Sequence, residues 1–250
     1  MVDFLTIRGV TKEFGGLKAV DDVSFEVEEE SLSAIIGPNG AGKTTMFNLI
    51  AGAMPVSGGE ILFKGQCIGG PVGAARMGIA RTFQNVRLFR EMSVLENVLV
   101  GMGGTGFVSA SMRLPRTVNA DRLRMKKAYY LLEDVGLGAA TSVRAGEIAF
   151  GQQRLLEIAR ALALEPKLLL LDEPAAGLNR TETASLASVI RRICGKGITV
   201  VLVEHDMNLV MNLVERVVVL DGGRKIAEGT PAEVRSNPAV CEAYLGAPKC

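Results

Sequence analysis

The chain has 250 residues, of which 48% are hydrophobic, ample for a packed core in one large domain or two small ones. Lys and Arg total 28 against 27 Asp and Glu, and a net charge of +1 argues against a whole-molecule electrostatic grip on nucleic acid. No apolar run reaches the ~18 residues needed to span a bilayer, and Met1-Val2-Asp3-Phe4 lacks a basic-then-apolar signal pattern. Cys67, Cys194, Cys241 and Cys250 form no CxxC pair, and the single His205 leaves no metal-ligand cluster. The expectation is a soluble protein of a reducing compartment. Its 29 glycines, in so apolar a chain, mark tight turns and close approaches of backbone to ligand. A mean hydropathy of +0.27 points to apolar surface covered by partners.

In chain order, Phe4–Ile7 and Val23–Val27 read as strands with period-two burial, and Leu32–Ile36 as a short apolar strand feeding a glycine loop. Thr44–Ala51 carries the apolar content of a helix, and Ile61–Phe63 is strand-like. Ser93 followed by Glu96 is an N-cap signature, and a Gly- and Ser-rich loop occupies Gly101–Pro115. Ala128, Leu131, Leu132 and Val135 fall on one helix face, with Gly136 as its stop. Gln152–Leu164 predicts a further helix, ended by Glu165-Pro166. Leu168–Leu171 and Ile198–Val203 are continuous apolar runs of the kind buried parallel strands carry. Between them Leu186, Val189, Ile190 and Ile193 form another helix stripe, and beyond them Asp221-Gly222-Gly223 is a hairpin turn between Val217–Leu220 and Arg224–Glu228. The economical organisation is one domain, residues 1–250, whose α/β core (1–87 and 165–250) is interrupted by a helical insert (88–164).

Gly37-Pro38-Asn39-Gly40-Ala41-Gly42-Lys43-Thr44 matches GxxxxGK[ST] between a strand and a helix, the context in which the motif is a phosphate loop. Small residues let consecutive backbone N–H groups curl around an anion, and the helix that follows points its positive end at it. Lys43 can reach β- and γ-phosphates, and the Thr44 hydroxyl can ligate Mg²⁺. The strand Leu168–Leu171 runs into Asp172 and Glu173. Asp172 suits an outer-sphere Mg²⁺ contact, and Glu173 is placed to polarise a water for in-line attack. The alternative is a pair of solvated turn residues after a core strand.

Four further segments sharpen the picture. Ile148-Ala149-Phe150-Gly151-Gln152 opens a helix, with Gln152 lying 20 residues before Asp172. His205 follows the next apolar strand, Gln84 lies in Arg81-Thr82-Phe83-Gln84-Asn85, and Phe14 precedes Lys43 by 29 residues. Taken alone, the histidine reads as a core residue, the glutamine as surface, and Phe14 equally as core or as a stacking platform. In this order and spacing the whole chain resembles the ABC-transporter ATP-binding subunit. The segments Phe14–Val20, Gly78–Phe89, Glu173–Asn179 and Glu228–Gly246 are similar to the branched-chain amino acid importer ATPases of bacteria.

The resemblance implies an α/β fold: a P-loop NTPase (RecA-like) core with an antiparallel β subdomain and an inserted α-helical signature subdomain. It implies ATP held by Phe14, Val20, Gly37 to Thr44 and Thr45, Mg²⁺ held by Thr44, Gln84 and Asp172, and hydrolysis through Glu173, His205, Gln84 and Lys43. Phe150, Gly151 and Gln152 would reach the γ-phosphate of a second ATP-binding subunit, identical or a paralogue. The other partners implied are integral membrane permease subunits and, indirectly, an extracytoplasmic substrate-binding protein, with no nucleic acid. The place implied is the cytoplasmic face of the bacterial inner membrane, as a peripheral subunit.

Several positions depart from the family pattern. Phe150 takes the place of a signature glycine, Asn179 that of a frequent Asp, Arg180 that of a Pro, and Leu155 that of an Arg. Glu30-Ser31 replaces a usual Gly-Glu; if that glycine has φ > 0, Glu30 costs about 1 kcal/mol or uses another turn. The basic stretch Arg113, Arg116, Arg122, Arg124, Lys126 and Lys127 reads first as a solvated face, with anionic lipid headgroups as the alternative. Rival functions are the ATPase of a urea or other ABC transporter, a non-transport ABC ATPase, and a small-molecule kinase. The last would need neither Gly151-Gln152 nor His205.

Overall fold

A computed structural model describes residues 4–84, 86–103 and 115–245, in two units: residues 1–84, 167–177 and 183–250, and residues 85–166 and 178–182. In the first unit, β1 (Leu5–Phe14) and β2 (Leu17–Val27) pair antiparallel, with Leu5 opposite Val27 and Phe14 opposite Leu17. β3 (Leu32–Ile36) leaves for a second sheet, while β4 (Gly58–Phe63) and β5 (Gln66–Cys67) return to complete the order β2-β1-β4-β5. β1 is longer than the Phe4–Ile7 apolar run. Pairing with β4 as far as Thr11, and with β2 to the end, carries it through the polar Thr11-Lys12-Glu13 stretch.

The second sheet adds β6 (Ile79–Arg81), β7 (Leu168–Asp172), β8 (Thr199–Val203), β9 (Arg216–Asp221) and β10 (Arg224–Gly229) in the order β10-β9-β3-β8-β7-β6. All but the β9–β10 hairpin are parallel. Every residue of β3, β7 and β8 is buried, as their unbroken apolar runs require. Because β3, β7 and β8 run the same way, their C-terminal ends share one edge. That edge receives Gly37, Asp172-Glu173 and Glu204-His205, where ligands of open parallel sheets bind.

α1 (Lys43–Ile50) packs Met46, Phe47, Leu49 and Ile50 into one core with Ile35, Leu170, Val201 and Val218 from the parallel sheet and Phe25 and Phe63 from the antiparallel one. α2 (Gly70–Met77) buries only Ala74, and so has no apolar stripe to betray it in the sequence.

The second unit is helical. Ser93 caps α3 (Val94–Gly101): its hydroxyl accepts from the Glu96 amide at 3.2 Å, and its own amide donates to the Glu96 carboxylate at 2.7 Å. On α4 (Pro115–Asp134) Ala128 and Leu132 are buried, Leu131 is half-buried, and Gly136 takes φ +81° just past the end. α5 (Phe150–Leu162) completes the unit. The buried Asn97 side chain ties the loop before α3, accepting from the Phe89 amide and donating to the Phe89 and Ser93 carbonyls, each at 3.0 Å. Most of the loop expected over Gly101–Pro115 lies outside the described residues, as do Arg113, Asn85, Gly246 and the Arg116 side chain. Of the other basic residues, Arg124 donates to the Leu99 and Gly103 carbonyls and Lys127 pairs with Glu165, while Arg122 and Lys126 are exposed.

α6 (Arg180–Cys194) buries Leu186, Val189, Ile190 and Ile193. α7 (Met207–Leu213) starts at an Asp206 cap, and α8 (Pro231–Ser236) and α9 (Pro238–Leu245) end the described chain.

Candidate nucleotide site

The loop from Gly37 to Gly42 joins β3 to α1 and is propped by the β9–β10 turn, whose Gly223 amide donates to the Ala41 carbonyl at 3.2 Å. Two of its glycines are imposed by close backbone. A Cβ on Gly37 would stand 2.1 Å from the Leu220 carbonyl oxygen, and one on Gly42, at φ +96°, 2.4 Å from that of Ala19. Lys43 is buried and its ammonium donates to the Gly37 and Pro38 carbonyls at 2.8 and 2.9 Å. Burial pushes Lys43 below the usual lysine range, an effect the Glu173 and Asp172 carboxylates partly offset. Thr44 is exposed and Thr45 half-buried in the first turn of α1.

Asp172 closes β7 with its side chain 4% exposed, and Arg81 donates to its Oδ2 at 2.7 Å. Glu173, the next residue, has φ +45°, a conformation that L residues with a Cβ adopt at a cost of about 1–3 kcal/mol. Its amide donates to the Val203 carbonyl at 2.9 Å, and its own carbonyl accepts from Ala176 at 3.1 Å, which hold the turn. Glu173 Oε2 accepts from Gln84 Nε2 at 3.0 Å and lies 3.9 Å from Nδ1 of the exposed His205. Gln84, Glu173 and His205, from three separate stretches of chain, thus converge on one carboxylate oxygen beside Asp172.

The sequence shows Glu204 only as a neighbour of His205. It is fully buried, and its carboxylate accepts from the Ala175 amide at 2.8 Å and the His205 amide at 3.1 Å. It therefore joins the turn after Glu173 to the loop bearing His205. Burial raises its pKa above the usual carboxylate range against these backbone hydrogen bonds. Arg81 is the second residue whose part the sequence did not disclose. On α9 the buried hydroxyl of Tyr244 lies by the Gly37 amide; burial pushes it up to about 12, with that amide acting the other way.

Phe14, at the end of β1, is 48% exposed, with Lys12 Nζ 5.1 Å from its ring centroid, so it is no core residue. Val20 is fully buried in the core and presents no surface of its own.

The second unit carries the other predicted residues. Phe150 is exposed beneath the Arg154 guanidinium, and Gln152 caps the start of α5 by accepting from the Ala149 amide at 3.1 Å. Gly151 is closely approached: a Cβ there would lie 2.7 Å from Glu182 Oε1. The other oxygen of Glu182 accepts from the Asn179 amide at 2.9 Å, while Asn179 Oδ1 accepts from the Thr181 and Glu182 amides. Asn179, which replaces a frequent Asp, serves as the N-cap of α6.

The ABC transporter family pattern matches residues 20–176, and that of the branched-chain amino acid ATP-binding cassette transporter matches residues 224–249. The chain is 46% identical over 248 residues to the high-affinity branched-chain amino acid transport ATP-binding protein BraF of Pseudomonas aeruginosa, with 97% of each covered. This chain belongs to the ABC transporter family. It is similarly 44% identical to the high-affinity branched-chain amino acid transport ATP-binding protein LivG of Escherichia coli, again over 97% of both. Among solved structures, the ADP conformation of an ATP-binding cassette of an ABC transporter superposes with a TM-score of 0.85 at 32% identity, over 98% of this chain and 100% of that one. The fold is accordingly that of the ABC cassette, an ATPase with a nucleotide-binding P-loop.

For the metal that ABC ATPases employ, the donor chemistry fits. The Thr44 hydroxyl, the Gln84 amide oxygen and the Asp172 carboxylate are hard oxygen donors, as Mg²⁺ prefers, and Arg81 engages Oδ2 of Asp172, leaving Oδ1. Among the described residues, no group of three or more His, Cys, Asp and Glu forms a separate metal cluster.

Proposed function

We propose that this ABC ATPase energises uptake of branched-chain amino acids through separate membrane permease subunits. The catalytic part rests on one observation, the convergence of Gln84 and His205 on Glu173 Oε2 beside Asp172 and the phosphate loop. In the proposed reaction Phe14 stacks on adenine, with Val20 backing its sheet from the core. The backbone N–H groups from Gly37 to Thr45 line the phosphates. Lys43 exchanges the Gly37 and Pro38 carbonyls for β- and γ-phosphate oxygens. Thr44, Gln84 and Asp172 would hold Mg²⁺, which would supply positive charge against the phosphates.

Glu173 takes a proton from a water oriented by Gln84 as that water forms a bond to the γ-phosphorus. The bond from phosphorus to the ADP oxygen breaks, and the products are ADP and phosphate. His205 steadies the γ-phosphate. Phe150, Gly151 and Gln152 cap the γ-phosphate held by a second cassette, so that ATP joins two cassettes and hydrolysis parts them. The Gln84 segment and the helical unit, taken as inserted signature subdomain 88–164, pass that motion to the permease.

The cargo follows from identity of 44–46% with named branched-chain transport subunits. An extracytoplasmic substrate-binding protein completes the assembly. No helix of the described residues is long and apolar enough to cross a membrane, which suits a peripheral subunit on the cytoplasmic face. The test is co-purification with the membrane subunits, followed by ATPase assays with binding protein loaded with leucine, with urea or with nothing. Stimulation by the leucine-loaded form alone supports the reading; equal or greater stimulation by urea overturns the cargo.

A further inference from the structure

Arg81 is the last residue of β6, and the parallel register sets it opposite Leu170, two residues short of Asp172 on β7. Its side chain, 12% exposed, runs along the sheet edge to the carboxylate. One terminal nitrogen donates to Asp172 Oδ2 at 2.7 Å, the other to the Asn48 side-chain oxygen on α1, and Nε is buried without a hydrogen bond. The guanidinium also lies over two rings, 6.0 Å from the centroid of Phe47 and 5.6 Å from that of Phe83. Four restraints, from β7, from α1 and from Phe83 just past β6, therefore fix one positive charge against the carboxylate that closes β7. Nothing in local helix or strand formation demands a charge there, since Ile79 and Ala80 already supply the apolar content of β6.

We propose that Arg81 is a positioning residue that serves as built-in counter-ion to Asp172, holding Oδ2, leaving Oδ1 to the metal shell and weakening the hold on the divalent ion that accompanies nucleotide. This rests on the assignment of Asp172 to that shell. A full unit charge in a half-dry setting opposes a divalent cation strongly. The same contact spares the protein an uncompensated buried carboxylate while no metal shares it. The arrangement trades affinity for a metal site that fills and empties with each turnover.

The test uses Mn²⁺ as probe, with its binding to the ADP complex followed by electron paramagnetic resonance and by calorimetry, so that hydrolysis plays no part. Arg81→Gln keeps a polar, hydrogen-bonding side chain without the charge, and Arg81→Met removes both; Arg81→Gln decides the matter should Arg81→Met fail to fold. Both are expected to bind Mn²⁺ about tenfold more tightly, with ADP affinity in EDTA changed less than twofold. A role in stability alone lowers the melting temperature and leaves Mn²⁺ affinity unchanged, which overturns the proposal, as does weaker binding. Asp172→Asn in the parent chain separates the two levels. If it leaves Mn²⁺ binding unaltered, the assignment of Asp172 fails. If it weakens Mn²⁺ while Arg81→Gln does not strengthen it, only the role of Arg81 fails.

Discussion

Gln84 Nε2 donates to Glu173 Oε2 at 3.0 Å across 89 residues of sequence. The same oxygen lies 3.9 Å from His205 Nδ1, so one carboxylate oxygen organises both neighbours before any nucleotide group is considered. Glu173→Gln keeps the shape and an oxygen to accept from Gln84 but removes the proton acceptor. ATP binding is expected to persist, turnover to fall by about 10²–10⁴-fold, and a nucleotide-bound dimer to accumulate on size exclusion. Turnover at the parental rate removes Glu173 from the chemistry.

Lys43→Ala deletes a buried ammonium and leaves the Gly37 and Pro38 carbonyls without their donor. Loss of a buried, hydrogen-bonded charge opposite phosphate is expected to weaken ATP binding by roughly 100-fold or more. Titration with a fluorescent ATP analogue checks this, and an unchanged dissociation constant withdraws the phosphate-loop assignment.

The backbone at Glu30 takes φ +58°, the left-handed conformation that the missing glycine of the family pattern anticipates. Its amide donates to Thr199 Oγ1 at 2.8 Å and its carbonyl accepts from Cys194 Sγ at 3.3 Å, contacts that any residue retains. Relief of left-handed strain exceeds the extra chain entropy of glycine. Glu30→Gly is therefore expected to gain about 0.5–1 kcal/mol with ATPase activity untouched. Guanidinium unfolding measures it, and a lower midpoint contradicts it.

Glu204 gives a pH dependence with a definite sign. Burial raises its folded pKa above the ordinary 4.5, so the folded chain holds that proton more tightly than the unfolded chain. Its contribution is fully present below pH 4.5 and is lost as pH rises through the folded value. In Glu204→Gln this loss disappears, and the stability of the parent relative to the variant should decline as pH rises. Unfolding midpoints of both chains across that range test it; a difference that stays flat with pH is the contrary result.

What the sequence discloses follows burial and local chemistry. Leu32–Ile36 is observed as a strand residue for residue because both of its faces are covered, and the Ser93 box caps α3 because its partners lie within one turn. The stripes on α4 and α6 are legible for the same reason. α2, with one buried residue, leaves no such trace. The P-loop is contiguous and therefore readable. Arg81 with Asp172, and Glu204 with Ala175, are pairs created by sheet register between distant stretches, and each of those residues taken singly resembles an ordinary strand end.

The most direct measurement is a structure of the assembled transporter with Glu173→Gln cassettes and Mg²⁺-ATP. The Gly151 amide of one cassette is expected within ~3 Å of a γ-phosphate oxygen held by the phosphate loop of its partner. A γ-phosphate bound with Gly151 of the partner cassette far away, beyond the reach of a hydrogen bond or a bridging water, contradicts it.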